Sequence, residues 1–204
     1  MGFSGVLAGQ LAHPGGIGGQ WLGKAMDLAN RGLTRRAVEM LAPQGGEAVL
    51  DAGCGTGIAL ARVRKAAQCR IAGLDPSRAM VRMARRRLGG SVDLRNRRIE
   101  DEAFPPESFD AILALNVLYF AGEEAVMPCA LYRMLRPGGR LVAYVTARET
   151  MERWRFARAG YHRLYDEGEL ARLLCEGGFA AGRVTIRREN VGAGAIGLFA
   201  YATR

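Results

Sequence analysis

Val49-Leu50-Asp51-Ala52-Gly53-Cys54-Gly55-Thr56-Gly57 changes the character of the chain within a few residues. The apolar run Ala48-Val49-Leu50 has the composition of a short buried strand, and it ends on an acid. From Gly53 onward every second residue is glycine, and Ile58 opens a helical pattern that runs to Ala67. Glycine has no Cβ, so such a loop turns sharply and brings its backbone close to a ligand. In open α/β sheets ligands sit outside the carboxyl ends of the strands, near the point where strand order reverses.

Outward from this loop, strands and helices alternate. Arg70 to Leu74 reads as a second strand closed by Asp75-Pro76, and Ser77 is a good N-cap for a helix through Leu88. Ser91 to Asn96 is a weak third strand and Phe109 to Leu115 a clearer fourth. Glu123 to Leu135 reads as a helix stopped by Pro137-Gly138-Gly139, followed by a fifth strand from Arg140 to Val145. Glu167 to Glu176 is a helix ended by Gly177-Gly178. Two closing strands lie near Gly182 to Arg188 and Ile196 to Thr203, with no helix between them. The pattern predicts an α/β fold: a doubly wound, mostly parallel seven-stranded sheet with an antiparallel strand at one edge. Before the first strand, Trp21, Leu22, Ala25, Met26 and Ala29 recur at helical spacing, and Leu33, Ala37, Val38 and Leu41 continue it after Gly32. Residues 1–42 are therefore expected to form an N-terminal helical lid, and 43–204 the ligand-binding domain.

The length suits one domain, and 49% hydrophobic residues suffice for a core. No apolar run is long enough to span a membrane, and the first residues lack the pattern of a signal peptide. Cys54, Cys69, Cys129 and Cys175 have no CxxC spacing, and His13 and His162 are the only histidines, so no metal site is expected. Scattered thiols suggest a cytoplasmic protein. The net charge of +9 is almost all arginine, with lysine only at Lys24 and Lys65. Arginines crowd Arg78 to Arg98, which reads as a solvated helix face or as a surface for phosphates of RNA or of a membrane.

A dinucleotide fingerprint needs G-x-G-x-x-G, and Ile58 stands where its third glycine would be. A generic phosphate or nucleotide loop remains open. VLDAGCGTG resembles instead the first motif of the class I S-adenosylmethionine-dependent methyltransferases. Gly73-Leu74-Asp75-Pro76-Ser77 is similar to the end of that family's second strand, whose acid accepts bonds from the ribose hydroxyls; the alternative is a helix-capping acid. The family's Gly-Asp-Ala-like adenine triplet falls on Arg97-Arg98-Ile99, where the usual acid is missing; Glu100 or Asp101 takes its place if the register slips. Glu107-Ser108-Phe109-Asp110 through Asn116-Val117-Leu118-Tyr119-Phe120 resembles the segment whose end borders the methyl group, and Leu131 to Leu141 the helix, Pro-Gly-Gly turn and fifth strand.

The resemblance implies a Rossmann-like fold and S-adenosyl-L-methionine as cofactor. It places Asp51, Ala52, Gly53, Cys54, Gly55 and Gly57 at the methionine moiety, Asp75 and Pro76 at the ribose, and Arg98 and Ile99 at the adenine. Leu115 and Asn116 wall the methyl group. Methyl transfer from a sulfonium is an in-line displacement, so alignment is the main task, and a base is needed only if the acceptor must lose a proton. Asn116, Tyr119, His13 and His162 are the candidates for groups at the reacting atoms, with Tyr161 a further one. A small-molecule acceptor is expected, held between the N-terminal helices and the loops after strands four and five; the aromatic, basic run from Glu149 to Tyr165 covers it or packs on the sheet. Nucleic acid is the less expected partner, and peripheral membrane contact stays open. A methyltransferase acting on a lipid headgroup or RNA and a non-catalytic cofactor-binding protein are the competing readings.

Overall fold

The computed structural model describes residues 27–101, 104–122, 124–154, 162–192 and 194–204. A turn of helix at 27–29 precedes α1 (Arg31–Leu41). There follow β1 (Ala48–Ala52), α2 (Ile58–Ala66), β2 (Arg70–Leu74), α3 (Arg78–Leu88), β3 (Asp93–Arg95) and β4 (Phe109–Leu115). Then come α4 (Val126–Met134), β5 (Leu135–Thr146), α5 (Arg148–Met151), α6 (Glu167–Glu176), β6 (Val184–Gly192) and β7 (Ala195–Thr203). The strands form one seven-stranded sheet in the order β3-β2-β1-β4-β5-β7-β6. β1 pairs in parallel with both β2 and β4, and the order reverses between β1 and β4.

β1 is buried along its whole length, which explains its unbroken apolar reading: a parallel strand covered on both faces has no polar side. Leu50, Ile112 and Leu141 pack with Leu131 of α4 and Leu173 of α6. Val49, Leu113 and Val142, one residue out of phase, pack with Leu33, Ala37 and Leu41 of α1 and Val63 of α2. At the β3 edge, Leu60 of α2 meets Val81, Ala84 and Leu88 of α3. β6 and β7 form an antiparallel hairpin. β7 is inserted antiparallel beside β5, and β6 makes the rim. There the burial alternates, as expected of a strand with one wet face.

Two helix starts carry side-chain caps. Ser77 accepts the amide of Met80 at 3.4 Å at the start of α3. Asp166 and Glu169 form a reciprocal capping box before α6.

Three expectations change. The helical periodicity is interrupted at Asn30, and Gly32 lies inside α1. α1 lies in the layer under the sheet, with Leu33, Ala37, Val38 and Leu41 in the core, so residues 31–41 belong to the domain rather than to a lid. Trp21, Leu22, Ala25 and Met26 lie outside the described residues. Finally, Pro137-Gly138-Gly139 is not the turn that stops a helix. α4 ends at Met134, and the Pro-Gly-Gly run lies inside β5, where the register with β4 shifts between Phe109 and Ala111. Pro137 disfavours helical backbone at Arg136, and Gly138 adopts φ +78° in the bulge.

Candidate functional site

The glycine loop leaves β1 at the switch point and doubles back toward β2. The amides of Gly53 and Cys54 both donate to the Leu74 carbonyl, each at 2.9 Å. Gly53, Gly55 and Gly57 all have positive φ, at +86°, +51° and +79°. Their missing Cβ atoms serve different ends. A Cβ on Gly53 would lie 2.1 Å from Val117 Cγ1, and one on Gly57 would press on Ala84 and Leu88 of α3 at 3.0 Å. These two glycines let the loop pack against protein. A Cβ on Gly55 would meet nothing within 4 Å, so Gly55 alone presents bare backbone to open space. Cys54 turns inward, beside Gly73, and its thiol is pushed well up by burial. It contributes backbone to the loop and is no nucleophile.

Two carboxylates flank the loop. Asp75, at the end of β2, is 8% exposed and is held at both oxygens: Oδ2 accepts the Gly55 amide at 2.9 Å and Oδ1 the Ser77 amide at 2.8 Å. Burial raises its pKa against the pull of these two donors. The same acid thus shapes the turn into α3 and fixes the glycine loop. Asp51, at the end of β1, is 2% exposed, and among the described residues no hydrogen bond reaches its carboxylate. Burial first, and then the charge of Asp75, push its pKa up to about 7. Two buried acids so close together favour a cationic ligand and oppose a phosphate.

Beyond β3, Asn96 Nδ2 donates to the carbonyls of Asp75 at 3.0 Å and Pro76 at 2.8 Å, tying this exit to the turn after β2. Pro76 itself is exposed. Ile99 is buried in the core, while the Arg98 side chain is mostly solvent-exposed. Asp101 Oδ2 accepts the Arg98 amide at 3.0 Å and caps the turn at Ile99–Asp101. The amide of Arg98 is therefore committed.

At the end of β4, Leu115 is half-buried and Asn116 adopts φ +58°, a conformation asparagine tolerates better than most residues. Its amide donates to the Tyr144 carbonyl at 2.9 Å. Tyr119 is almost fully buried; its hydroxyl accepts the Thr146 amide and lies 3.5 Å from Asn116 Oδ1. Burial drives its pKa well above the ordinary tyrosine value, so Tyr119 braces Asn116 and is a poor base. His162 is brought to the same place. Its ring lies 5.8 Å from that of Tyr119 and 5.3 Å from that of Phe120, which is partly exposed. Burial lowers its pKa, which keeps the imidazole neutral near pH 7. His13 and Tyr161 lie outside the described residues. Among those described, no group of His, Cys, Asp and Glu could hold a metal ion, and no helix is long and apolar enough to cross a membrane.

Asn96, Val117 and Thr56 were not legible as site residues. Their roles depend on contacts between segments distant in sequence, which no local spacing encodes.

A methyltransferase-domain family matches residues 49–139, from β1 to the bulge in β5. A ubiquinone biosynthesis O-methyltransferase of Thiobacillus denitrificans is 30% identical over 170 residues, which cover 75% of this chain and 73% of that protein. An O-methyltransferase of Penicillium expansum is 30% identical, and a demethylmenaquinone methyltransferase of Tropheryma whipplei 36%. The chain spans only about six tenths of these two, 61% and 56% of their lengths. Among solved structures, the fold is shared with the 1,6-didemethyltoxoflavin-N1-methyltransferase of Burkholderia thailandensis (TM-score 0.70, 21% identity, 89% of this chain and 82% of that one). It is shared also with a methyltransferase of Thermotoga maritima (TM-score 0.66, 24% identity, 88% and 93%). The loop, its two acids and this kinship agree: the chain belongs to the class I S-adenosylmethionine-dependent methyltransferases.

Proposed function

We propose that the protein transfers the methyl group of S-adenosylmethionine to a hydroxyl of a small organic acceptor. The observation that carries this reading is the buried, unbonded Asp51 carboxylate beside Asp75 and the bare backbone of Gly55. Such a site attracts the positive charge of an ammonium and a sulfonium, and it argues against the dinucleotide and phosphate-loop alternatives. Relatives named as O-methyltransferases support the hydroxyl.

Bound there, the cofactor supplies a methyl group already activated by positively charged sulfur. Asp51 faces the amino group of the methionine part. Asp75 offers the lone pairs left over from Gly55 and Ser77 to the ribose hydroxyls. Ile99 and the backbone at Arg98 border the adenine, and Leu115 with Asn116 walls the methyl side. His162, neutral and next to the Asn116–Tyr119 brace, accepts the proton that the acceptor hydroxyl releases as its oxygen takes the methyl group. Phe120 and Trp154, each 37% exposed, give the acceptor an apolar border. Free thiols at Cys54, Cys69, Cys129 and Cys175 suit a cytoplasmic setting.

The test is to incubate the protein with methyl-labelled cofactor and fractionated small-molecule extracts, then to identify the labelled product by mass. An O-methyl ether is expected. With that acceptor, His162→Gln should lower kcat by about 100-fold and flatten its pH profile, with cofactor affinity unchanged. A labelled nucleic acid or phospholipid would contradict the small-molecule reading, and an unaltered pH profile would remove His162 as the base.

A further inference from the structure

We propose that Asp27, Thr56 and Arg87 are positioning residues: they latch the start of the first helical turn onto the glycine loop, so that a filled loop and a docked Asp27 stabilise one another. The proposal rests on the reading of this loop as the cofactor site.

Thr56 stands next to the one glycine that opens to space, and it is only 4% exposed. Its hydroxyl donates to Asp27 Oδ1 at 2.6 Å and Oδ2 at 2.8 Å, and accepts from Arg87 Nη1. Arg87 Nη1 also donates to the Thr56 carbonyl at 2.8 Å, and Nη2 pairs with Asp27 Oδ2 at 2.8 Å. The one proton of the Thr56 hydroxyl and one of its two lone pairs are thereby engaged. The ion pair is itself partly shielded, with 30% of the Arg87 side chain and 18% of the Asp27 side chain exposed. Such charge-assisted, convergent bonds hold a geometry more firmly than an exposed pair would.

The arrangement does more than hold the loop on α3. Gly57 already rests on Ala84 and Leu88, so loop and helix are in contact without Asp27. What Asp27 adds is a connection to the chain ahead of α1. The loop is thus gripped at neighbouring residues from two sides. Asp75 takes the Gly55 amide from the β2 side, and the Asp27–Arg87 pair takes Thr56 from the other. A ligand that fixes Gly55 must also fix Thr56, and linkage requires the effect to run both ways.

The experiment measures S-adenosylhomocysteine affinity by calorimetry and amide hydrogen exchange at residues 27–34, with and without that ligand. In the unaltered protein the ligand should slow exchange there. Thr56→Val removes the hydroxyl at nearly constant volume and should weaken binding about tenfold, the scale of one charge-assisted bond, and abolish the change in exchange. Thr56→Ser, which keeps the hydroxyl, should restore both. Asp27→Asn keeps an acceptor but loses the charge; it should show a smaller loss and serves if the valine variant fails to fold. Variants that bind as tightly as the parent, or exchange at 27–34 indifferent to ligand in the parent, overturn the latch. A parent protein that does not bind the ligand at all would instead refute the reading of the loop, before any substitution is made.

Discussion

Asp51 is the residue where fold and binding conflict most openly. Unfolded, its carboxyl ionises near the ordinary value of 3.8; folded, it does so at about 7. Below the lower value both states are neutral and the folded state bears no cost. As pH rises from about 4 to 7 the unfolded chain gains the charge first, so the ligand-free protein loses stability across that window, by an amount on the order of a few kcal/mol. Asp51→Asn should therefore make the ligand-free protein more stable above pH 7, read by urea unfolding, while weakening cofactor binding. In the parent, affinity should rise with pH up to about 7 as the carboxylate ionises, accompanied by proton release on binding at pH 6. A flat stability profile in both proteins would mean that Asp51 has a partner. The glycines divide in the same way. Gly53→Ala drives a methyl group into Val117 and should cost stability beyond the roughly 1–2 kcal/mol of a left-handed alanine. Gly55→Ala should cost only that backbone share and show its effect in cofactor affinity. Equal losses of stability for the two would contradict the division.

At the scale of elements, α3 carries its charge at a cost. Arg78, Arg82 and Arg86 are spaced four apart on one exposed face, and none has a carboxylate partner among the described residues. Like charges at this spacing repel by a few tenths of a kcal/mol per pair. Arg82→Glu turns both repulsions into attractions and should stabilise the protein by about 0.5–1 kcal/mol at low salt, fading as salt is added. A destabilised variant would show that Arg82 has a partner. The sequence was legible in this helix down to the Ser77 cap, because period, cap and stop are all local signals. β2 and β4 were read to their observed ends for the same reason. The Pro-Gly-Gly run misled because its local signal, a helix stop, is the same one that a strand bulge uses; pairing with β4 decides between them. Likewise, alternating glycines announced a ligand loop, but only the packed neighbours reveal that two of the three glycines serve protein contacts.

For the whole molecule, the place of α1 was the part least visible in sequence. α1 and the segment before it share one apolar periodicity, and nothing local says that α1 lies under the sheet. A chain beginning at Pro43 would expose Val49, Leu113 and Val142 on that face, and it should aggregate; one beginning at Asp27 should stay soluble. Sedimentation and circular dichroism on the two distinguish them, and a folded, soluble 43–204 chain would show that the core closes without α1. Activity depends on the glycine loop being a site for a cationic cofactor fixed by Asp75. Calorimetric titration of the full chain with S-adenosylmethionine, repeated on Asp75→Ala and with NAD as the competing ligand, tests this most directly. The expected result is saturable one-to-one binding by the parent, at least tenfold weaker binding by the variant with an unchanged circular-dichroism spectrum, and no heat from NAD. Binding that ignores the loss of Asp75, or that prefers NAD, would contradict the account.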